Sequence, residues 1–119
     1  MKDNRQQKIS FVFTDIQGST PLARLLDSAF SDLLAQYRDV VQRSVDQYSG
    51  QIIDSAGDGF FIVFTDVLDA VMATAKIQVM LAKTVFPRNA EVLVRIGIHS
   101  GYAVLSESTY TGLAVHRGF

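Results

Sequence analysis

Ile9, Phe11 and Phe13 alternate with Ser10, Val12 and Thr14, and β-branched or aromatic types dominate the run. This pattern predicts a buried strand over about Lys8 to Asp15. Gly18, Ser19, Thr20 and Pro21 follow as a turn, with Thr20 expected as the N-cap and Pro21 as the first helical residue. A short helix with Leu22, Leu25 and Leu26 on one side then leads into a longer one, from about Ser28 to Tyr48. In the longer helix Phe30, Leu33, Leu34, Tyr37, Val40, Val41, Ser44, Val45 and Tyr48 recur at helical spacing, and Gly50 stops it.

The run QIIDSAGDGFFIVF predicts two short strands, one holding Ile52 and Ile53 and one from Phe60 to Phe64. The connection from Ser55 to Gly59 carries two glycines, as a tight hairpin requires, with Asp58 at its tip. Thr65 or Asp66 then caps a helix whose expected buried face is Leu68, Val71, Met72, Ala75, Val79 and Ala82. Pro87, Arg88 and Asn89 break that helix. From Glu91 to Ser100 the alternation places Val92, Val94, Ile96 and Ile98 inward and Leu93, Arg95, Gly97 and His99 opposite. Gly101 is expected to turn the chain into a fifth strand, Tyr102 to Leu105, before a loop from Ser106 to Thr111. Setting aside the split first helix and the last strand leaves βαββαβ, an α+β, ferredoxin-like arrangement with an antiparallel sheet and helices on one face. There the first and third strands lie side by side, so Asp15 and Asp58 converge.

This convergence brings in chemistry. A strand delivers the Asp15 carboxylate to a helix N-terminus, where the amides of Gln17 to Thr20 are expected to be free. Such amides and the positive end of the helix dipole attract phosphate, and a carboxylate beside them can hold the Mg²⁺ that accompanies a triphosphate. The same stretch also fits an ordinary capped strand–turn–helix with Asp15 solvated. Two carboxylates can hold two divalent ions about 3.5–4 Å apart, the spacing that clamps attacking and leaving oxygens in phosphate chemistry. Gly57 and Gly59 would let backbone and triphosphate come close.

Composition narrows the setting. A chain of 119 residues suggests a single domain, read as residues 8–119 behind a flexible leader at 1–7. A net charge of −1 gives no electrostatic case for nucleic acid, whose ferredoxin-like binders want a basic sheet, or for an anionic membrane. Cysteine is absent, which removes disulfides, thiolate metal sites and a cysteine nucleophile. With no apolar run of bilayer length and no signal segment, a cytoplasmic location is expected.

FTDIQGST, AGDGFFIVF, VRIGIHSG and YTGLAVHR, in this order and spacing, together resemble the catalytic domain of class III nucleotidyl cyclases, the adenylyl and guanylyl cyclases. The resemblance spans about Lys8 to Arg117. It implies that Asp15 and Asp58 are the metal-binding aspartates, that the Ile16 carbonyl adds a ligand, and that Gln17, Gly18, Ser19 and Thr20 hold the phosphates. The implied cofactors are two Mg²⁺ or Mn²⁺ ions per site. The implied reaction is attack of a ribose 3′-hydroxyl on the α-phosphate of a nucleoside triphosphate, ATP or GTP, with release of pyrophosphate. The family works as dimers, each site combining metal ligands of one subunit with base-binding and transition-state residues of the other.

Three departures from the family pattern stand out, at Asp54, at His116 and at the transition-state arginine, while Thr109 matches a variant choice. Asp54 stands where an adenine-selecting lysine is expected; a carboxylate accepts from the N–H groups of guanine, and guanylyl cyclases carry an acidic residue there. Thr109 takes the second base-selecting position, a choice seen in some bacterial members. His116 replaces the ribose-orienting asparagine, and the transition-state arginine would fall on the next helical turn past Arg117, beyond Phe119. The domain is therefore expected to be incomplete at its C-terminus and poorly active. A catalytically silent, cyclase-like regulatory or dimerisation module is the alternative. His99 reads as a structural histidine, Arg95 as a cross-strand or snorkelling surface residue, and Tyr102 and Tyr110 as partner-facing candidates.

Overall fold

The computed structural model describes residues 6–105 and 110–111. Five strands form one antiparallel sheet: β1 (Gln6–Ile16), β2 (Gln51–Ala56), β3 (Gly59–Phe64), β4 (Val94–Leu105) and the short β5 (Tyr110–Thr111). Their spatial order is β2-β3-β1-β4-β5. Helices α1 (Ser19–Leu26), α2 (Phe30–Gln47) and α3 (Val67–Lys83) complete the expected ferredoxin-like βαββαβ core.

Alternation along the strands separates two faces. Val12, Ile16, Phe60, Ile62 and Phe64 join Leu33, Tyr37, Val41 and Ile77 in the main core beneath the helices. On the other face Ile9, Phe11, Phe61 and Val63 form a second cluster, with Phe13 and Ile53 against it. The Phe61 ring stacks on Phe13 at 4.8 Å and on Phe11 at 5.4 Å between centroids. Every large residue expected on the buried stripe of α2 packs there, and the buried Ser44 hydroxyl donates back to the Val40 carbonyl at 2.8 Å.

Several expectations fail for physical reasons. α3 buries Ala70, Ala73, Ile77 and Leu81, not the stripe of Leu68, Val71, Met72 and Val79, which stays exposed. The helix carries two apolar stripes, and the one with small residues lets it approach the sheet closely. Leu25 is 71 % exposed, while Leu22 and Leu26 alone turn α1 toward the core. Gly18, left-handed at φ 67°, is the N-cap of α1, so Thr20 and Pro21 lie inside the first turn. Asp66, rather than Thr65, caps α3 by accepting from the Leu68 N–H at 2.9 Å.

β4 runs unbroken through Gly101, because β1 offers it partners from Ile16↔Val94 to Gln6↔Val104. Residues 102–105 are thus no separate strand, and Gln6 and Gln7 belong to the sheet instead of the leader. Tyr110–Thr111, expected as loop, pairs with the end of β4. Ile98 shares a face with Val94 and Ile96, yet remains 43 % exposed.

Gly50 does not end α2 by adopting a left-handed conformation; Ser49 does that, at φ 60°. What Gly50 provides is room. A Cβ there would lie 2.4 Å from a ring carbon of Phe64 and 2.9 Å from a methyl of Val45. Gly50→Ala should therefore destabilise the fold by about 1–3 kcal/mol through overpacking, read as a lower urea midpoint at unchanged slope.

Candidate active site

Asp15 sits at the penultimate position of β1, on the helix-free face that Ile9, Phe11 and Phe13 share. The main-chain pairing of β1 with β3 ends at Thr14↔Phe60, and beyond it the β2–β3 turn takes over. Gly57 is left-handed there at φ 60°, which suits the first turn position of a two-residue hairpin. Asp58 follows, and its Oδ2 accepts from the Ile16 N–H at 2.8 Å. The side chain thus continues the ladder where the backbone stops, bringing the Asp58 carboxylate against the residue that follows Asp15. The expected convergence of the two aspartates is present.

The surroundings of the two differ. Arg95 stands directly opposite Asp15 in the β1–β4 register. Its Nε donates to Oδ1 at 2.9 Å and its Nη2 to Oδ2 at 2.8 Å. These bonds push the guanidinium pKa, already high, further up. Of the two readings of Arg95, the cross-strand one is correct, but its place in the site was not foreseen. Asp15 and Arg95 line an open depression of about 280 Å³ with Phe13 and Gly97.

Beneath the site, Tyr37 of α2 is fully buried, and its hydroxyl shares a 2.7 Å hydrogen bond with that of Thr14. Burial raises its pKa, the Thr14 bond opposes this, and the charges of Asp58 and Asp15 add to the rise; the net position is about 12. The next residue, Arg38, donates from Nη2 to the Gly57 carbonyl at 2.9 Å. Neither side chain carried a motif; only the helical spacing marked Tyr37, and that as core.

The expected phosphate-binding amides are only partly available. Gln17 donates its N–H to the Leu93 carbonyl at 2.7 Å, tying the start of the turn to the strand beyond. Gly18, Ser19 and Thr20 stand at the start of α1, where helical N–H groups have no partner within the helix. Asp54 is exposed on β2. A β-bulge between Ile52 and Asp54 sets Asp54 opposite Phe61, and hence on the helix-free face. Thr109 and His116 lie outside the described residues. His99 stands opposite Phe11, and its buried Nε2 has no hydrogen-bond partner among the described residues.

A cation fits this donor set. The carboxylates of Asp15 and Asp58 are hard oxygen donors, and a guanidinium already occupies both oxygens of Asp15 as a stand-in. Among the described residues no group of three or more His, Cys, Asp and Glu side chains comes together. One or two carboxylates are the protein ligands that Mg²⁺ commonly takes, with water and substrate phosphate completing its shell.

The pattern of the adenylate and guanylate cyclase catalytic domain matches residues 1–110. The chain belongs to this family. It is 26 % identical over 113 residues to an adenylate cyclase of Lachancea kluyveri, covering 92 % of this chain and 6 % of the relative. It is 31 % identical over 77 residues to receptor-type adenylate cyclase B of Leishmania donovani, covering 65 % of this chain and 6 % of that protein. The chain thus spans a small fraction of the curated relatives it matches. The guanylyl cyclase Cya2 superposes with a TM-score of 0.81 at 19 % identity, over 98 % of this chain and 69 % of that one. A bacterial light-regulated adenylyl cyclase gives 0.81 at 21 %, over 94 % and 67 %. Both establish the cyclase-domain fold. No helix among the described residues is long and apolar enough to cross a membrane.

The Tyr37 phenol predicts an alkaline weakness. Its folded-state pKa, about 12, lies above the ordinary value of 10.0, so the fold favours the neutral phenol. That stabilisation, about 2–3 kcal/mol, is complete below pH 10 and is lost as pH rises toward 12. Unfolding by urea at pH 8 and pH 11 should show a steeper loss for the wild type than for Tyr37→Phe.

Proposed function

We propose that this cyclase-family domain converts a nucleoside triphosphate to a 3′,5′-cyclic nucleotide and pyrophosphate, at a site completed by a second subunit. The observation that carries this is the Asp58 carboxylate at 2.8 Å from the Ile16 N–H, one residue after Asp15 and just ahead of the α1 N-terminus. Asp15, Asp58 and the Ile16 carbonyl would hold Mg²⁺ or Mn²⁺, and Gly18, Ser19 and Thr20 would receive phosphate oxygens. When bound, the divalent ions would supply charge neutralisation and a more acidic 3′-hydroxyl. The 3′-oxygen forms its bond to the α-phosphorus as the bond to the β-phosphate bridging oxygen breaks, and the hydroxyl proton passes to solvent.

Arg95 has a part that its charge dictates. With Asp15 holding a metal ion, the exposed Arg95 guanidinium would be free to meet a phosphate oxygen of the triphosphate. Asp54 would read the base from the helix-free face, with Thr109 and His116 as the further base- and ribose-contacting candidates. The depression beside Asp15, about 280 Å³, lies at the small end for a ligand site, in keeping with a site that two copies share. The second reading, a silent cyclase-like module, draws on the Arg95 pair, which engages both oxygens of Asp15.

Two measurements test the metal and base assignments on which the enzyme reading depends. Mn²⁺ together with GTP should raise the melting temperature more than either alone, since a ligand at a hundred times its Kd adds about 2.7 kcal/mol. Asp15→Ala and Asp58→Ala should abolish the extra shift; equal shifts in all three proteins would refute the metal assignment. In competition binding, GTP should match or exceed ATP. Asp54→Lys should move the preference toward ATP by about 1–3 kcal/mol, the cost of leaving one polar group unpaired. Strong ATP selectivity in the unmodified protein would contradict the role given to Asp54.

A further inference from the structure

Two consecutive residues of α2 each grip the residue that precedes one of the two aspartates. Tyr37 points inward, fully buried, and shares its hydroxyl with Thr14, the neighbour of Asp15. Arg38 points sideways and donates to the carbonyl of Gly57, the neighbour of Asp58. The two grips differ in what they must correct. Thr14 lies in a central strand paired with β3 on one side and β4 on the other, so Asp15 is already fixed by the sheet. Asp58 lies on a two-residue turn beyond the last main-chain pair, Ala56↔Gly59, and Gly57 has open space around its Cα. Apart from the bond of Asp58 to Ile16, the Arg38 bond is what ties this turn to the body of the domain among the described residues.

We infer that Arg38 is a positioning residue: by holding the Gly57 carbonyl to α2, it keeps the Asp58 carboxylate docked on the Ile16 N–H, ready beside Asp15. The role rests on the proposed metal-dependent function of the two aspartates. A bond from a charged donor to a backbone carbonyl is stronger than a neutral one. It also acts on the turn backbone and leaves the Asp58 oxygens unobstructed. Tyr37, one residue earlier, sets the same helix against β1, so the spacing between the two aspartates is referred to a single rigid element.

The Ile16 N–H reports on the docking directly, because its acceptor is the Asp58 side chain. Amide exchange by NMR on the metal-free protein should show Ile16 exchanging at least tenfold faster in Arg38→Ala, with the core amide of Val12 unchanged. Arg38→Lys, which keeps the charge with a simpler donor, should fall between. Mn²⁺ affinity, measured with a GTP analogue carrying a methylene bridge between the α- and β-phosphates, should weaken about tenfold in Arg38→Ala and partly recover in Arg38→Lys. Unchanged Ile16 exchange in Arg38→Ala would overturn the inference. So would faster exchange with wild-type Mn²⁺ affinity, since the bond would then be structural only. Absence of Mn²⁺ binding by the wild-type chain would refute the proposed function and with it the positioning role. Ile16 exchange would still show whether Arg38 holds the turn, which separates the two failures.

Discussion

Because β1 is hydrogen-bonded along both edges, to β3 over Ser10–Thr14 and to β4 over Gln6–Ile16, its register decides where the site's side chains meet. Odd-numbered residues of β1 face away from the helices, which puts Asp15 in line with Phe11 and Phe13 on the open face. The β4 register brings Arg95 directly across from it. The β3 register ends two residues short of Ile16, and Asp58 fills that gap with its side chain. A slip of one residue in either pairing would send Asp15 into the core beneath the helices and dissolve the site.

Much of this was legible in the chain. Alternation at residues 9–14 and the two glycines around Asp58 were enough to place a central strand beside a tight hairpin, and so to bring Asp15 and Asp58 together. Several failures depend on how elements pack and pair with one another, which periodicity does not encode. α3 offers two apolar stripes, and the one it buries begins with the small Ala70 and Ala73 and continues with Ile77 and Leu81. Gly50 appeared as a helix stop, whereas the Phe64 ring makes it a matter of volume. The Arg95–Asp15 pair needs the β1–β4 register, and Arg38 acts on a backbone carbonyl that has no residue identity to read.

The two carboxylates are neutralised in different ways, and this difference organises the site. Asp58 is satisfied by a backbone amide, a fixed dipole that remains in place whatever binds. Asp15 is satisfied by the cation of a long side chain, with 43 % of the aspartate and 66 % of the arginine side chain exposed. An exposed ion pair contributes little to stability, so the fold does not require it. Its removal leaves the sheet intact, and Asp15 can exchange one cation for another at small cost.

A division of labour between the two faces of the sheet follows from the same geometry. The helix side carries the largest buried cluster, with Tyr37, Phe64 and Ile77, and fixes the frame. The open side carries the stacked rings of Phe11, Phe13 and Phe61, and at its margin the charged groups Asp15, Arg95 and Asp54. The Ile53 bulge is what puts Asp54 there, since strict alternation after Ile52 would have turned it under the helices, where a lone carboxylate is costly to bury. Among the described residues of the candidate site, Asp15, Arg95 and Asp54 are therefore placed by the sheet's own register, and Asp58 by a two-residue turn docked on the Ile16 N–H. Under the proposed function, the exchange at Asp15 of Arg95 for a metal ion would be the main rearrangement within this subunit, so little binding energy would go into ordering it.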